Sequence, residues 1–91
     1  MRATKIKMKP NCGASNNLLE IDSLYLTGCQ NDGYFPKATV HDYLKEHPNE
    51  IQVNISPYPN LIPVISPNNE KYVKSTPDSI QRDNLLSLPR E

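Results

Sequence analysis

The sequence predicts an α+β fold: a small antiparallel sheet of about five strands, one short helix packed on it, and an irregular leucine-rich clasp at the C-terminus. Three observations lead there. "TKIKMK", "LLEIDSLYL", "EIQVNIS", "LIPVIS" and "KYVKST" either alternate apolar and polar residues or are short apolar runs between turn residues, as strands do. A single stretch, Thr39 to His47, carries apolar residues at helical spacing. The 9 prolines among 91 residues break everything else into short pieces joined by stiff turns. A chain this short makes one domain, 1–91, because chains divide only well beyond ~150 residues.

The first strand is expected over Ala3 to Lys9, where Ile6 and Met8 form a dry face against Lys5, Lys7 and Lys9. Pro10 ends it, and Asn11 to Asn17 is rich in residues that tolerate turns. Leu18 to Leu26 reads as the second strand, with Leu19, Ile21 and Tyr25 on one side. The two should form a hairpin in which Glu20 and Asp22 lie across from the lysines, each such pair contributing roughly 0.2 to 1 kcal/mol. "TGCQNDGYFPK" reads as a loop. Thr39 is expected to cap the helix, with Asp42 completing a capping box, and Val40, Tyr43, Leu44 and His47 to form its buried stripe. Pro48 stops it. Ile51, Val53 and Ile55 mark one face of the next strand, and "PYPN" a turn in which the Tyr58-Pro59 bond is a candidate cis peptide. Leu61 to Ser66 and Lys71 to Thr76 should pair as a tight hairpin, with Pro63 at a sheet edge or facing outward from one because it cannot donate to a ladder. Leu85, Leu86 and Leu88 then cover an open side of the sheet.

Charge narrows the function classes. The formal net charge is +0, so no overall field draws the chain to nucleic acid or an anionic membrane, although Arg2, Lys5, Lys7 and Lys9 all precede the first acidic residue, Glu20. No apolar run approaches the ~20 residues of a membrane span, and the N-terminus lacks the apolar stretch of a signal peptide. A cytoplasmic protein with Cys12 and Cys29 as free thiols is therefore expected.

The residues that do chemistry are sparse. Cys12, Cys29, His41 and His47 lack the spacing of a zinc site. Cys29 with His41 as a hydrolytic pair has no helix start behind the thiol to activate it. Asp78 and Asp83 read as turn residues, and Gly13, Gly28 and Gly33 match no phosphate-binding loop. The expectation is thus no catalytic residue, no metal and no cofactor. A non-enzymatic binding module remains, presenting a sheet face or edge to a host protein or a small anionic, nucleotide-like ligand. Lys71, Tyr72, Lys74 and Arg82 are its candidate ligand residues, since Tyr72 and Lys74 share a strand face suited to stacking on a base and pairing with a phosphate. The alternatives are a nucleic-acid-binding protein using Lys5, Lys7 and Lys9, and a small Cys/His enzyme. An exposed edge strand also suggests a homo-oligomer.

"EKYVKSTPDSIQRDNLLSLP", with Lys71, Tyr72, Val73, Lys74, Ser75, Asp78, Asn84, Leu85, Leu88 and Pro89 at the matching positions, resembles the closing signature of the domain-of-unknown-function 3892 family. "LYLTG" and "TVHDYLK" are similar to that family's glycine-ended strand and short helix, so the resemblance spans about Leu19 to Pro89. Ser79 stands where the family more often has glycine, and Arg90-Glu91 replaces its frequent ending, which puts the turn after Asp78 in question. The resemblance implies a small accessory protein of bacterial or phage type. It carries over no catalytic or ligand residues, because the family has no established activity.

Overall fold

The structure, a computed structural model, describes residues 1–56, 58–76 and 84–90. It is an α+β fold with one helix. Strands β1 (Arg2–Met8), β2 (Ile21–Thr27), β3 (Gly33–Pro36) and β4 (Gln52–Val53) form one sheet in the order β3-β2-β1-β4. Helix α1 (Lys37–Glu46) joins β3 to β4, and β5 (Leu61–Ile65) with β6 (Lys71–Ser75) forms a second, two-stranded sheet. Single 3₁₀ turns cover Leu18–Glu20 and Asn84–Ser87.

The β1–β2 hairpin forms as expected, but each strand carries one extra residue. Ala3 faces Leu26 and Lys5 faces Tyr25, which leaves Thr4 without an opposite number; Lys7 faces Ser23 and Met8 faces Ile21, which does the same to Asp22. Each bulge reverses the alternation of its strand. Leu24 and Leu26 therefore join Ile21 in the core, and Tyr25, expected beside Ile21, lies on the opposite face. With the bulges included, the three-strand rows alternate cleanly. Ala3–Leu26–Gly33 and Ile6–Leu24–Phe35 face inward, while Lys5–Tyr25–Tyr34 and Lys7–Ser23–Pro36 face outward.

Three further expectations change. The loop read through "GYFP" contains β3, a four-residue edge strand. The strand expected at Ile51 to Ile55 shortens to Gln52–Val53 and pairs parallel to β1, so the larger sheet is mixed, not wholly antiparallel. The helix begins at Lys37, two residues before Thr39, with Pro36 at the capping position and no side-chain cap bond. Its buried stripe is Lys37, Val40, His41 and Leu44; Tyr43 and His47 stack on each other outside it, centroids 4.6 Å apart. A buried lysine anchors this early start. Lys37 donates to the Leu19 carbonyl and meets the Glu70 carboxylate, both at 2.5 Å.

The β5–β6 hairpin forms as expected, in a register that runs from Leu61 opposite Ser75 to Ile65 opposite Lys71. Thr76 donates to Asn60 and Ser66 to Glu70, so hydrogen-bonded positions fall on even residues of β5. Pro63 then occupies an intervening position, where its missing N–H costs the ladder nothing.

The leucine clasp closes the domain. Leu85, Leu86 and Leu88 are 0%, 4% and 4% exposed and belong to the single core with Ile6, Leu24, Leu44 and Val73. Ile6 donates to the Pro89 carbonyl at 2.9 Å, extending the edge of β1 that β4 occupies further up. Arg90, which carried no signal in the sequence, fastens the segment by donating to the carbonyls of Gly13, Ser15 and Leu86.

Candidate functional site

Reactive side chains are tied into structural contacts. The Cys12 thiol donates to Glu20 at 2.7 Å and the Ser15 hydroxyl to the other carboxylate oxygen at 2.6 Å. These two bonds hold the Glu20 carboxyl below its ordinary pKa, and the same carboxylate pushes the Cys12 thiol up, away from the reactive thiolate. Glu20 was expected to pair with the strand lysines; instead Lys9 reaches Glu70 at 3.2 Å. Glu70 stays low in pKa because Lys37 and then Lys9 donate to it, and Lys9 is raised by the same contact. His41 is buried on α1, its Nδ1 2.9 Å from the Tyr72 carbonyl. A carbonyl only accepts, so Nδ1 holds the proton, and the buried Nε2 has no partner among the described residues. Cys29 lies in the loop after β2, and its backbone N–H is capped by Asp32 at 3.1 Å. Both cysteines are free thiols. Among the described residues, no cluster of three His, Cys, Asp or Glu is placed to hold a metal, and no helix is long and apolar enough to cross a membrane.

Of the candidate ligand residues on β6, two lie together as expected and the third turns away. Tyr72 and Lys74 share one face with Ile62 and Val64 opposite them, all half-buried. Lys71 points to the other face and pairs with Asp42 at 2.8 Å, which holds that carboxyl low. Arg82, Asp78 and Asp83 lie outside the described residues, and so does the turn after Asp78.

The outer face of the four-stranded sheet collects what β6 does not. Its rows place Arg2, Lys5 and Lys7 on β1 beside Tyr25 on β2 and Tyr34 on β3. Lys5 Nζ lies 5.1 Å from the centre of the Tyr25 ring, and Tyr34 meets Tyr25 edge-on at 5.0 Å. At the far end the Arg2 guanidinium covers the ring of Tyr58 at 4.1 Å and donates to Asn54 at 3.2 Å. Tyr58 is 45% exposed and holds φ at 60°, a conformation that costs a bulky residue on the order of 1 to 3 kcal/mol. Of the three lysines singled out in the sequence, Lys5 and Lys7 are on this face; Lys9 has left it for Glu70, and Arg2 takes its place. Sequence reading missed the tyrosines because Tyr34 fell in a supposed loop and the bulge at Asp22 concealed the phase of Tyr25.

On the opposite side of the same strands lies an apolar pocket of about 190 Å³. Leu26, Val40 and Ile51 make its floor, all buried. Phe35 from β3, Tyr43 and Thr39 from α1, Met1 and Cys29, all more exposed, complete its lining. Its wall presents no nitrogen or oxygen. No spacing rule joins residues this far apart in the chain.

The family model described as "Protein of unknown function (DUF3892)" matches residues 4–89, and the chain belongs to that family. No curated protein and no solved structure matches it.

Proposed function

We propose that the chain is a non-enzymatic binding module that holds a nucleotide-like anion, free or within single-stranded nucleic acid, on the outer face of its four-stranded sheet. The observation that carries the reading is the row Lys5–Tyr25–Tyr34, half-buried, with Arg2 over the exposed Tyr58 beside it: cations and aromatic rings interleaved on one sheet face. Such faces bind single strands by stacking bases on rings or on the guanidinium plane while lysines meet phosphates. Lys5 must turn aside for a base to reach Tyr25, which gives up about 0.5 to 1 kcal/mol of cation–π contact. Stacking of a base contributes about 1 to 3 kcal/mol, more than that one contact.

The test is fluorescence anisotropy of a labelled single-stranded oligonucleotide at low salt, with mononucleotides as competitors. Three phosphate contacts predict a log–log salt slope near −2, from about −0.7 per contact. Tyr25→Ala should weaken binding by roughly five- to a hundredfold, and Lys7→Glu should also weaken it, whereas Lys45→Ala on the exposed side of α1 should not. Absence of binding at low salt, or a Tyr25→Ala protein that binds as well as wild type, would refute the reading. Competition by mononucleotides identifies the short ligand; resistance to it identifies the strand.

A further inference from the structure

We infer that the pocket beneath β3 and α1 is a second binding site, which takes a single uncharged aromatic ring of a small molecule. Its chemistry sets the charge of the occupant. A wall without nitrogen or oxygen cannot replace the hydration of an ion or a strong hydrogen-bonding group, so whatever enters must be apolar and any polar substituent must stay at the mouth. Its size sets the scale. At about 190 Å³ it slightly exceeds a ~150 Å³ apolar cavity of the kind that binds benzene, and it falls below the ~300 Å³ of drug-sized pockets. Its lining sets the shape. Two aromatic rings, Phe35 and Tyr43, and two sulfur-bearing residues, Met1 and Cys29, belong to its more exposed lining, and both kinds of group favour a flat ring over a branched chain.

That lining is also held in place before any ligand arrives, which reduces the ordering cost of binding. The Met1 amine donates to the Glu50 carbonyl at 3.0 Å, and its own carbonyl accepts from Gln52 at 3.1 Å. Tyr43 is braced by its stack on His47. The Cys29 loop turns through Gly28, whose φ of 80° favours glycine, and is closed by Asp32. The site is independent of the outer face: Leu26 and Phe35 point inward from the same strands whose Tyr25 and Tyr34 point outward.

The experiment is a methyl-detected NMR titration of the full chain with indole. Saturable shifts are expected at the Leu26, Val40, Ile51 and Met1 methyls, with those of Ile62 and Val64 on the β5–β6 hairpin unmoved. A Cys29→Phe variant, which adds a ring's bulk to the lining, should lose them. Shifts that rise linearly to the solubility limit of indole, or that map to Ile62 and Val64, would overturn the assignment; so would unchanged saturation in a folded Cys29→Phe protein. Oligonucleotide binding is read separately, so either site can fail without the other.

Discussion

Replacing Leu85 by alanine should destabilise the domain by about 2 to 5 kcal/mol. The side chain is wholly buried, in a 3₁₀ turn that packs against β1 and β6, and its loss removes transfer free energy and leaves a cavity. At about 0.05 to 0.15 kcal/mol per residue, the whole stability of such a chain is of order 5 to 14 kcal/mol, so one leucine in an irregular segment carries a large share. For a domain of this size each kcal/mol shifts Tm by about 4 to 8 °C, which predicts a fall of at least about 8 °C. Urea unfolding followed by circular dichroism measures the change, with the exposed Ser87→Ala as control. Deleting everything after Ser79 should abolish cooperative unfolding, since it also removes the Pro89 bond to Ile6 and the three Arg90 bonds. A Leu85→Ala protein within about 1 kcal/mol of wild type would mean that a residue fully enclosed in the structure leaves no cavity worth the ~2 kcal/mol minimum when truncated, and the clasp argument would fail.

Stability should show a plateau in pH. Glu20, Asp42 and Glu70 are depressed in the fold, so their contribution is present above the ordinary carboxylate range of 3.8 to 4.5 and is lost as pH falls through their lower folded values. Cys12 is raised, so its contribution is present below its ordinary 9.0 and lost as pH rises through its folded value. A Tm as high at pH 3 as at pH 6 would contradict the acid limb, and Cys12→Ser should remove part of the alkaline one. Lys37→Met should cost roughly 1 to 3 kcal/mol in urea unfolding by leaving the Leu19 carbonyl and one Glu70 contact unsatisfied. Lys71→Ala, which breaks an exposed pair with Asp42, should leave Tm nearly unchanged. Gly28→Ala should lower stability by about 1 kcal/mol through its positive φ, although its Cβ would meet only the Met1 backbone, Cα at 3.5 Å and N at 3.9 Å, in ordinary contact.

Much of the fold was legible. The hairpin of β5 and β6, the edge position of Pro63 and the burial of Leu85, Leu86 and Leu88 follow from alternation, proline chemistry and the cost of exposing leucine. The outer face was half legible: Lys5 and Lys7 stood out as a basic stripe, but their aromatic neighbours did not. A bulge changes which side chains face outward without leaving a mark in composition, and Tyr25 was assigned to the dry side for that reason. The helix stripe was misphased for a similar cause, because a lysine and a histidine with good partners can be buried while Tyr43 stays out.

The sequence by itself determined the class of fold, the family and the short, proline-punctuated elements, since these depend on local spacing and on conformational limits each residue carries with it. Tertiary structure alone decided the parallel pairing of β4, the two bulges, the role of Arg90 and the pairing of Lys9 and Lys37 with Glu70. It also decided which cations share a face with which rings and that eight residues between Met1 and Ile51 enclose a pocket. Those features depend on where separate strands settle against one core, and that balance is struck between surfaces that no stretch of the chain contains alone.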